Sequence, residues 1–425
     1  MAVPVYAMAA TIFLSLFLLY EYRLYPHEHN TLEECRDCQN GHSRRSLLRL
    51  EPRPIDKILL PQQYSKAVWN KGKIGAESKV KEEGLLSTKC DIFSGSWVKD
   101  ESYPVYGSQQ LCPYLSAQYN CKSNGRPDSE YLKWRWQPQD CNIPRFNANE
   151  MLEILRGKRL MFVGDSLTRN QWESMVCMLQ AVVPDSEKVA SLGYPLAAFK
   201  ALNYNASVEF YWAPFLVDLD NAYVGNELKR VLRIDSIENN ANYWRGVDIL
   251  VFNSAHWWAH TGTLRSWDYI QLDGKLYQDM DPMLAYANGL ATWANWIDFN
   301  INSHSTQVFF TSISPTHMRR LSDGNEQMCM KQTEPIQQNE LYDLSPEFPQ
   351  TSVVEGILPQ MTVPVSYLNI TRLSDYRKDA HPSVYTDSKE EQRSHSDAYA
   401  DCSHWCVSGV PDIWNELLFS LLQRL

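Results

Sequence analysis

The amino-acid sequence predicts an α/β fold in which a central parallel sheet lies between two layers of helices. Three observations lead to this prediction. From about residue 150 onward, short apolar runs typical of strands alternate with longer segments typical of helices. These runs are almost continuously apolar, as in strands that are buried on both faces. Polar residues, namely Ser166, Asn253 and Ser314, lie at the carboxyl ends of three runs, where ligands bind in such sheets.

The order of the elements follows the chain. Strands are predicted in the segments KRLMFVGDS, SVEFYWAPFLV, ELKRVLRIDSI, GVDILVFNSAHWW, TQVFFTSISP and VPVSYLNITRLS. Helices are predicted in LTRNQWESMVCMLQAVV, DPMLAYANGLATWANWIDFNI and the closing PDIWNELLFSLLQRL. The second of these helices has Pro282 in its first turn, a position that favours proline because its fixed φ suits a helix start.

The composition divides the chain into four parts. These are a transmembrane signal anchor at residues 1–20, a polar stem at 21–87, a Cys- and Trp-rich minor subdomain at 88–149, and the α/β domain at 150–425. The stretch Ala2–Tyr20 has no charged side chain, and nineteen helical residues span about 28 Å, close to one bilayer core. A cleaved signal peptide is the alternative, but no small-residue cleavage site follows the apolar stretch.

Charge and cysteine content indicate the class of protein and its compartment. The net charge of −10 and the pI near 5.5 argue against a general nucleic-acid binder, whose phosphate partner favours a basic face. Eight of the ten cysteines follow residue 85, an even number typical of disulfides in an oxidising compartment. The sequons at Asn205 and Asn369 agree with a secretory route. Cys35 and Cys38 lack a second pair at metal-site spacing, so a stem disulfide or free thiols is favoured, and no metal is expected.

Ser166 is a candidate nucleophile because it begins a predicted helix directly after a buried strand. A serine hydroxyl needs a base, and among ten histidines the sequence favours His404. Asp401 precedes it by three residues, a spacing that lets the carboxylate hold one ring nitrogen while the other faces the serine. Cys402 and Cys406 lie on either side of His404, so disulfides could fix the loop. The alternative is that Asp165-Ser166 is only a helix cap, which short polar residues often provide.

Longer strings carry a resemblance to a known family. GDSL at 164–167 with DCSH at 401–404 resembles the SGNH (GDSL-type) hydrolase superfamily, although Thr168 stands where ordinary α/β-hydrolases have glycine. RLMFVGDSLTRNQWESMVC, YWRGVDILVFNSAHWWAHTG, VFFTSISPTH and DCSHWCVSGVPDIWNELL resemble the plant trichome birefringence-like family over roughly residues 88–425. Members of that family are Golgi type II proteins that O-acetylate cell-wall polysaccharides.

The resemblance implies a three-layer αβα SGNH-hydrolase-like domain with a Ser166–His404–Asp401 triad. It also implies four disulfides, which are Cys90–Cys141, Cys112–Cys177, Cys121–Cys406 and Cys329–Cys402. The Ser166 N–H at the helix start is expected to donate to the oxyanion. Gly164 and Asn253 are further oxyanion or supporting candidates by analogy with the superfamily, although FNSAH departs from the usual Gly-x-Asn pattern. Asp165 is expected to brace the turn through backbone N–H groups.

Three residues are candidates for contact with substrate, each with a structural alternative. Arg169 could contact an acidic sugar or the donor, or pair with a nearby carboxylate. Trp257 and Trp258 could form a platform for sugar rings, or pack in the core or at its rim.

The function implied is transfer of acetyl groups to a cell-wall polysaccharide, with xylan as the first acceptor and pectin or mannan as alternatives. A polysaccharide acetylesterase would use the same triad with water as acceptor. A wall-polymer binding protein without catalysis is the third reading. No bound cofactor is expected, but an acetyl donor is required, either acetyl-CoA or another acetyl carrier. We also expect the α/β domain to lie in the Golgi lumen and the protein to associate with other Golgi wall-synthesis proteins.

Overall fold

The computed structural model describes residues 90–104, 112–320, 326–327, 329–336, 348–386 and 400–424. The strands are β1 Gly95–Lys99, β2 Trp134–Pro138, β3 Arg159–Gly164, β4 Lys188–Leu192, β5 Leu196–Ala201, β6 Ala206–Trp212, β7 Asp218–Val224, β8 Glu227–Arg233, β9 Ile249–Phe252, β10 Tyr269–Leu272, β11 Lys275–Tyr277, β12 Gln307–Thr311, β13 Arg319–Arg320, β14 Glu326–Gln327 and β15 Val365–Leu368. The helices are α1 Ala148–Ile154, α2 Ser166–Gln180, α3 Glu238–Ala241, α4 Pro282–Asn300, α5 Pro349–Ile357, α6 Thr371–Asp375 and α7 Val410–Leu422. Short 3-10 helices lie at Ala117–Tyr119, Glu130–Leu132, Asp185–Glu187, Leu202–Tyr204, His256–Ala259, Gly262–Leu264, Leu358–Gln360 and Lys378–Ala380.

The main sheet has seven strands in the order β15-β12-β9-β3-β6-β5-β4. The five strands from β15 to β6 are parallel, as predicted, whereas β5 and β4 pair antiparallel at one edge. The sheet is therefore mixed rather than wholly parallel. Residues 193–195 and 202–205 make the β4–β5 and β5–β6 connections. Links this short permit only antiparallel neighbours, because a parallel pair needs a crossover of a dozen or more residues.

The segment ELKRVLR forms a strand, but it does not join the main sheet. It is β8, in a second sheet of order β11-β10-β8-β7. β7 and β8 form a hairpin whose turn contains Gly225 with φ +64°, a left-handed conformation that glycine adopts without strain.

Helices cover both faces of the main sheet, and alternate side chains of its strands show this. Val251 of β9 belongs to a core that includes Leu417 of α7 and Met175 of α2. Its neighbour Phe252 points the other way and packs edge-on against Trp293 of α4, with ring centroids 5.3 Å apart. The layers are therefore helix, sheet and helix.

The minor subdomain contains an antiparallel pair, β1 with β2, and short 3-10 helices. Trp136 is buried and packs against Trp97 with ring centroids 5.7 Å apart, while Trp134 is only partly buried. All the described residues belong to one compact unit. The predicted anchor at 1–20 and the whole predicted stem at 21–87, including Cys35 and Cys38, lie outside the described residues. Within the described part of the chain, no helix is long and apolar enough to span a membrane.

Disulfide bonds join the minor subdomain to the α/β domain. The structure forms the four predicted pairs, which are Cys90–Cys141, Cys112–Cys177, Cys121–Cys406 and Cys329–Cys402. Cys112–Cys177 fastens the minor subdomain to α2. Cys121–Cys406 fastens it to the loop that precedes α7, and Cys329–Cys402 holds the same loop from another side.

The two predicted glycosylation acceptors differ in exposure. Asn205 is exposed at the left-handed end of a 3-10 turn, whereas Asn369 is only partly exposed after β15.

Candidate active site

Ser166 lies where the first parallel strand of the main sheet meets a helix. It is the first residue of α2, directly after β3. Asp165 is the N-cap, and its Oδ1 accepts from Leu167 N at 2.9 Å and from Thr168 N at 3.4 Å. Asp165 therefore braces the turn as predicted from the sequence. A Cβ on Gly164 would overlap the Thr168 hydroxyl and the Asn253 carbonyl oxygen, so only glycine fits there.

The structure brings Ser166, His404 and Asp401 together. His404 Nε2 lies 2.7 Å from Ser166 Oγ, and His404 Nδ1 lies 2.8 Å from Asp401 Oδ2. Since a carboxylate accepts hydrogen bonds, Nδ1 carries the ring proton and Nε2 is left to accept the serine hydroxyl proton. Ser166 is only partly buried, so a reactant can reach it. This arrangement suits general-base activation of a nucleophilic hydroxyl.

Asp401 is held in the ionised form that this arrangement needs. Its Oδ1 accepts from the backbone N–H groups of Ser403 and His404, both at 3.0 Å. Burial opposes ionisation, but the interaction with the His404 ring and these hydrogen bonds outweigh it and hold the pKa of Asp401 well below its usual value. A charged Asp401 both orients the imidazole and stabilises the imidazolium form.

Asn170 connects the serine helix directly to the histidine loop. It lies one helical turn after Ser166, and its Oδ1 accepts from Trp405 N at 2.8 Å. Its Nδ2 donates to Trp405 O at 3.1 Å. Asn170 is fully buried, so its two hydrogen bonds are shielded from water. The residue after His404 is thereby fixed to the helix that carries Ser166.

The minor subdomain also contributes to the site. Gln118 Nε2 lies 3.3 Å from His404 Nδ1, and the Tyr119 ring lies 5.3 Å from the imidazole. The Tyr119 hydroxyl donates to Ser166 O at 3.3 Å. The triad therefore lies against the minor subdomain and does not belong to the α/β domain alone.

The structure contradicts the prediction that Asn253 is an oxyanion donor. Asn253 Nδ2 donates to the carbonyl oxygens of Thr311 at 2.9 Å and Ser312 at 3.1 Å, which occupies both amide hydrogens. Asn253 instead ties the end of β9 to the end of β12. The Ser166 N–H keeps its predicted place at the first position of α2, where a helix offers no acceptor for it.

The predicted substrate contacts have different outcomes. Arg169 Nε pairs at 2.9 Å with Glu173, whose buried carboxylate also accepts from Ser116 N at 2.8 Å. The structural alternative foreseen for Arg169 is thus present, and a contact with substrate stays a prediction.

The prediction that Trp258 binds substrate is wrong. Its side chain is 1% exposed, it packs on Gly289 of α4, and its Nε1 donates to Ser254 Oγ at 2.9 Å. Trp257 is partly exposed and packs edge-on against Trp212, with ring centroids 5.5 Å apart. Because Trp212 pairs with Gly164 across β6 and β3, these two indoles lie beside the serine turn, and Trp257 remains a candidate.

A further histidine near the site is neutral. His256 Nε2 lies 2.7 Å from the carbonyl oxygen of Ser314, to which it donates. Burial lowers the pKa of His256 to about 4, so its ring does not compete with His404 as a cation. Among the described residues, no group of three or more His, Cys, Asp or Glu side chains could hold a metal ion.

Comparison with known proteins gives the family. The model of the PC-Esterase family, described as a GDSL/SGNH-like acyl-esterase family found in Pmr5 and Cas1p, matches residues 143–421. The chain belongs to this family. A second model, the PMR5 N terminal domain, matches residues 88–142.

Curated relatives agree over most of the chain. Protein trichome birefringence-like 36 of Arabidopsis thaliana is 46% identical over 338 residues, which cover 79% of this chain and 86% of the relative. Probable xylan O-acetyltransferase 8 of Oryza sativa subsp. japonica is 44% identical over 349 residues, 79% of this chain and 78% of the relative. The resemblance to the trichome birefringence-like family is confirmed, and this PC-Esterase chain is an acyltransferase.

Sequence reasoning missed Gln118, Tyr119 and Asn170. One signal was present for the first two: the expected Cys121–Cys406 bond places residues next to Cys121 beside the His404 loop. Asn170 offered only its spacing of four residues from Ser166, which puts both side chains near one face of α2.

Proposed function

We propose that this PC-Esterase protein transfers acetyl groups to hydroxyls of a plant cell-wall polysaccharide, with xylan as the first acceptor to test. The observation that carries the proposal is the 2.7 Å contact between His404 Nε2 and Ser166 Oγ, with Asp401 behind the imidazole. The name of the rice relative, probable xylan O-acetyltransferase, supports xylan.

The proposed reaction has two halves that use the same three residues. In the first, His404 takes the hydroxyl proton as Ser166 Oγ attacks the acetyl carbonyl of the donor. The tetrahedral intermediate collapses, the donor's leaving group receives that proton from His404, and acetyl-Ser166 remains. In the second, His404 takes a proton from a sugar hydroxyl that attacks the acetyl ester. Ser166 Oγ then leaves and regains a proton from His404.

The oxyanion of each tetrahedral intermediate needs hydrogen-bond donors. The Ser166 N–H is one, because it lies at the positive end of the α2 dipole. Asn253 is excluded from this role by its bonds to Thr311 and Ser312.

An acetylesterase is the second candidate, and the description of the family as acyl-esterases favours it. The two activities differ in whether water or a sugar hydroxyl takes the acetyl group from Ser166. The partly exposed Trp257 beside Trp212 supports the transferase, since an indole face suits the C–H surface of a sugar.

The experiment incubates the full chain with an acetyl donor and, separately, deacetylated xylan, homogalacturonan and mannan oligosaccharides. We expect NMR of the products to show new O-acetyl groups on xylan, and no product with Ser166→Ala. Free acetate formed faster than acetylated sugar with every acceptor would instead support the esterase. Acetyl-CoA and a simple activated acetyl ester are both used as donors, because the site does not specify the carrier.

The setting proposed for this reaction is the Golgi lumen, with residues 2–20 as a type II membrane anchor. The four disulfides support an oxidising compartment. Exposed Asn205 supports glycosylation. Fractionation of the tagged full chain, with protease protection of its carboxyl-terminal part, tests both statements.

A further inference from the structure

The backbone of His404 is hydrogen-bonded on both sides. Its N–H donates to Asp401 Oδ1 at 3.0 Å, and its carbonyl oxygen lies 2.6 Å from His381 Nδ1. Since a carbonyl oxygen only accepts, His381 Nδ1 must carry a hydrogen and donate it. His381 follows a 3-10 helix far from the His404 loop in sequence, so the sequence around the triad gives no sign of this contact.

A second histidine fixes the tautomer of His381. His317 Nδ1 lies 2.6 Å from His381 Nε2, so one hydrogen lies between these two atoms in addition to the one on His381 Nδ1. His317 Nε2 lies 3.0 Å from the carbonyl oxygen of Asp375, which also requires a donor. The two rings therefore share three hydrogens, one more than two neutral imidazoles carry, and the Asp375 carboxylate 3.4 Å from His317 Nε2 favours the extra hydrogen on His317.

The pair is buried and held by neighbouring elements. His381 is 1% exposed, and its ring stacks on Trp405 with centroids 4.0 Å apart. Trp405 Nε1 in turn donates to Ser314 Oγ at 2.9 Å, at the end of β12. Arg126 of the minor subdomain donates to His381 O at 3.0 Å. Burial, followed by the adjacent His317, lowers the pKa of His381 well below its ordinary value, as its neutral form requires.

We propose that His381 is a positioning residue for His404, and that a doubly protonated His317 holds it in the donating tautomer. The catalytic consequence of this inference rests on the proposed function. The hydrogen-bond assignment does not depend on it. The chain of donors runs from His317 to His381 to the carbonyl of His404. These hydrogen bonds, together with those from Asn170 to the Trp405 backbone, fix the peptide bond between His404 and Trp405.

Loss of the His381 donor would leave the partly buried His404 carbonyl without this hydrogen bond and would allow the peptide after His404 to shift. A displacement of about 1 Å at a catalytic group costs roughly a hundredfold in rate. The effect should fall on kcat, because His381 does not reach the partly exposed surface where substrate binds. KM should change little.

The hydrogen-bond assignment is tested first, by NMR of the full chain carrying ¹⁵N-labelled histidine at neutral pH. The expected spectrum gives His381 protonated at Nδ1 alone and His317 protonated at both nitrogens. His381→Asn and His317→Gln identify the two sets of signals by their disappearance. A proton on Nε2 of His381, or a neutral His317, overturns the proposal whatever the protein's activity.

The catalytic consequence is tested with three substitutions of one residue. Asn places its Nδ2 where histidine has Nδ1, so His381→Asn should keep the donor to His404 and retain most of kcat. Gln places its nitrogen at the Nε2 position, so His381→Gln should lower kcat about 10- to 100-fold, as should His381→Phe. The rate at which an activated acetyl ester acetylates Ser166 is measured as a function of ester concentration, so that kcat and KM are obtained separately.

Thr306→Val is the matched control. Thr306 Oγ1 donates to the carbonyl oxygen of Val247 at 2.9 Å in a buried position outside the site, so its loss should leave kcat unchanged. Equal kcat for the Asn and Gln variants of His381 overturns the positioning role, even if the Phe variant does not fold. If Ser166 of the unmodified chain is never acetylated, the proposed function fails. The NMR spectra still decide the hydrogen-bond assignment of His381 and His317, because that measurement does not depend on activity.

Discussion

Asp401 binds its histidine and the loop backbone with different oxygens. Oδ2 accepts from His404 Nδ1, while Oδ1 accepts from two backbone N–H groups. An asparagine at this position keeps the shape but offers only one acceptor oxygen. If that oxygen serves the backbone, the amide hydrogens face His404 and reverse its tautomer, which removes the base from Ser166.

Asp401→Asn is therefore expected to lower kcat about 10³- to 10⁴-fold with a small change in melting temperature. Steady-state acetyl transfer and thermal unfolding measure the two effects. Asp298→Asn is the matched control, because Asp298 also accepts backbone hydrogen bonds, from Thr362 and Val363, but far from the triad. A kcat for Asp401→Asn within tenfold of the unmodified chain would contradict a triad.

At the scale of single residues, the sequence predicts the three residues of the proposed triad and misses the residues that hold them. Ser166, Asp401 and His404 could be predicted because their chemistry and motifs are local. Asn170 and His381 could not, because their roles depend on contacts with Trp405 and His404 across the fold. Trp258 was wrongly predicted to bind substrate. The sequence does not show which of the two adjacent indoles packs on Gly289 and which faces solvent.

The closing helix α7 carries a buried carboxyl that links two elements. Glu416 accepts from the Tyr103 hydroxyl at 2.9 Å and 3.0 Å, and Phe146 N lies 3.4 Å from it. Burial raises the pKa of Glu416 to about 7, although these hydrogen bonds partly offset it. Between the ordinary glutamate pKa and a pH of about 7, Glu416 therefore keeps a proton in the folded protein that it has lost in the unfolded chain.

This raised pKa predicts how stability changes with pH. The stabilising contribution of protonated Glu416 is complete below the ordinary glutamate pKa and is lost as pH rises to about 7, at a cost of roughly 3 kcal/mol in the free energy of unfolding. Glu416→Gln removes this loss, so it should raise the melting temperature more at pH 8 than at pH 5. Calorimetry at both pH values measures the difference. The opposite order would show that Glu416 is ionised in the folded protein below pH 7.

Among the elements, the parallel strands of the main sheet, β8 and the long helices could be predicted, whereas the other antiparallel strands could not. β9 is apolar throughout, and β12 is apolar in its three central residues, because helices cover both faces of these strands. Asp281 and Pro282 mark the start of α4 as an N-cap with proline in the first turn. β4, β7 and β11 are short or partly exposed edge strands, so their sequences lack the apolar run that identifies a buried strand.

Across the whole molecule, the minor subdomain and the α/β domain build one site. Cys121–Cys406 joins residues 285 positions apart in sequence, and Cys406 lies two residues after His404. Cys90–Cys141 joins residues 51 positions apart, and neither of its cysteines is near the triad in sequence. Both bonds restrict the unfolded chain, and loss of either should cost about 2–5 kcal/mol of stability. Of these two bonds, only Cys121–Cys406 also holds the loop that carries His404.

The double substitution Cys121→Ser with Cys406→Ser is expected to lower both the melting temperature and the kcat of the folded protein. Cys90→Ser with Cys141→Ser should lower the melting temperature but leave kcat nearly unchanged. Activity is measured well below both melting temperatures and normalised to the folded fraction. Equal kcat values for the two variants would mean that the minor subdomain does not position His404.

The covalent state of Ser166 tests the account most directly. The full chain is mixed with an acetyl donor without acceptor, digested, and analysed by mass spectrometry, and xylan oligosaccharide is then added. The account predicts one acetyl group on the peptide that contains Ser166, none in Ser166→Ala, and loss of that acetyl group to the sugar. Acetylated xylan formed at an unchanged rate by Ser166→Ala, or a protein that never carries acetyl on Ser166 while it turns over, would contradict it.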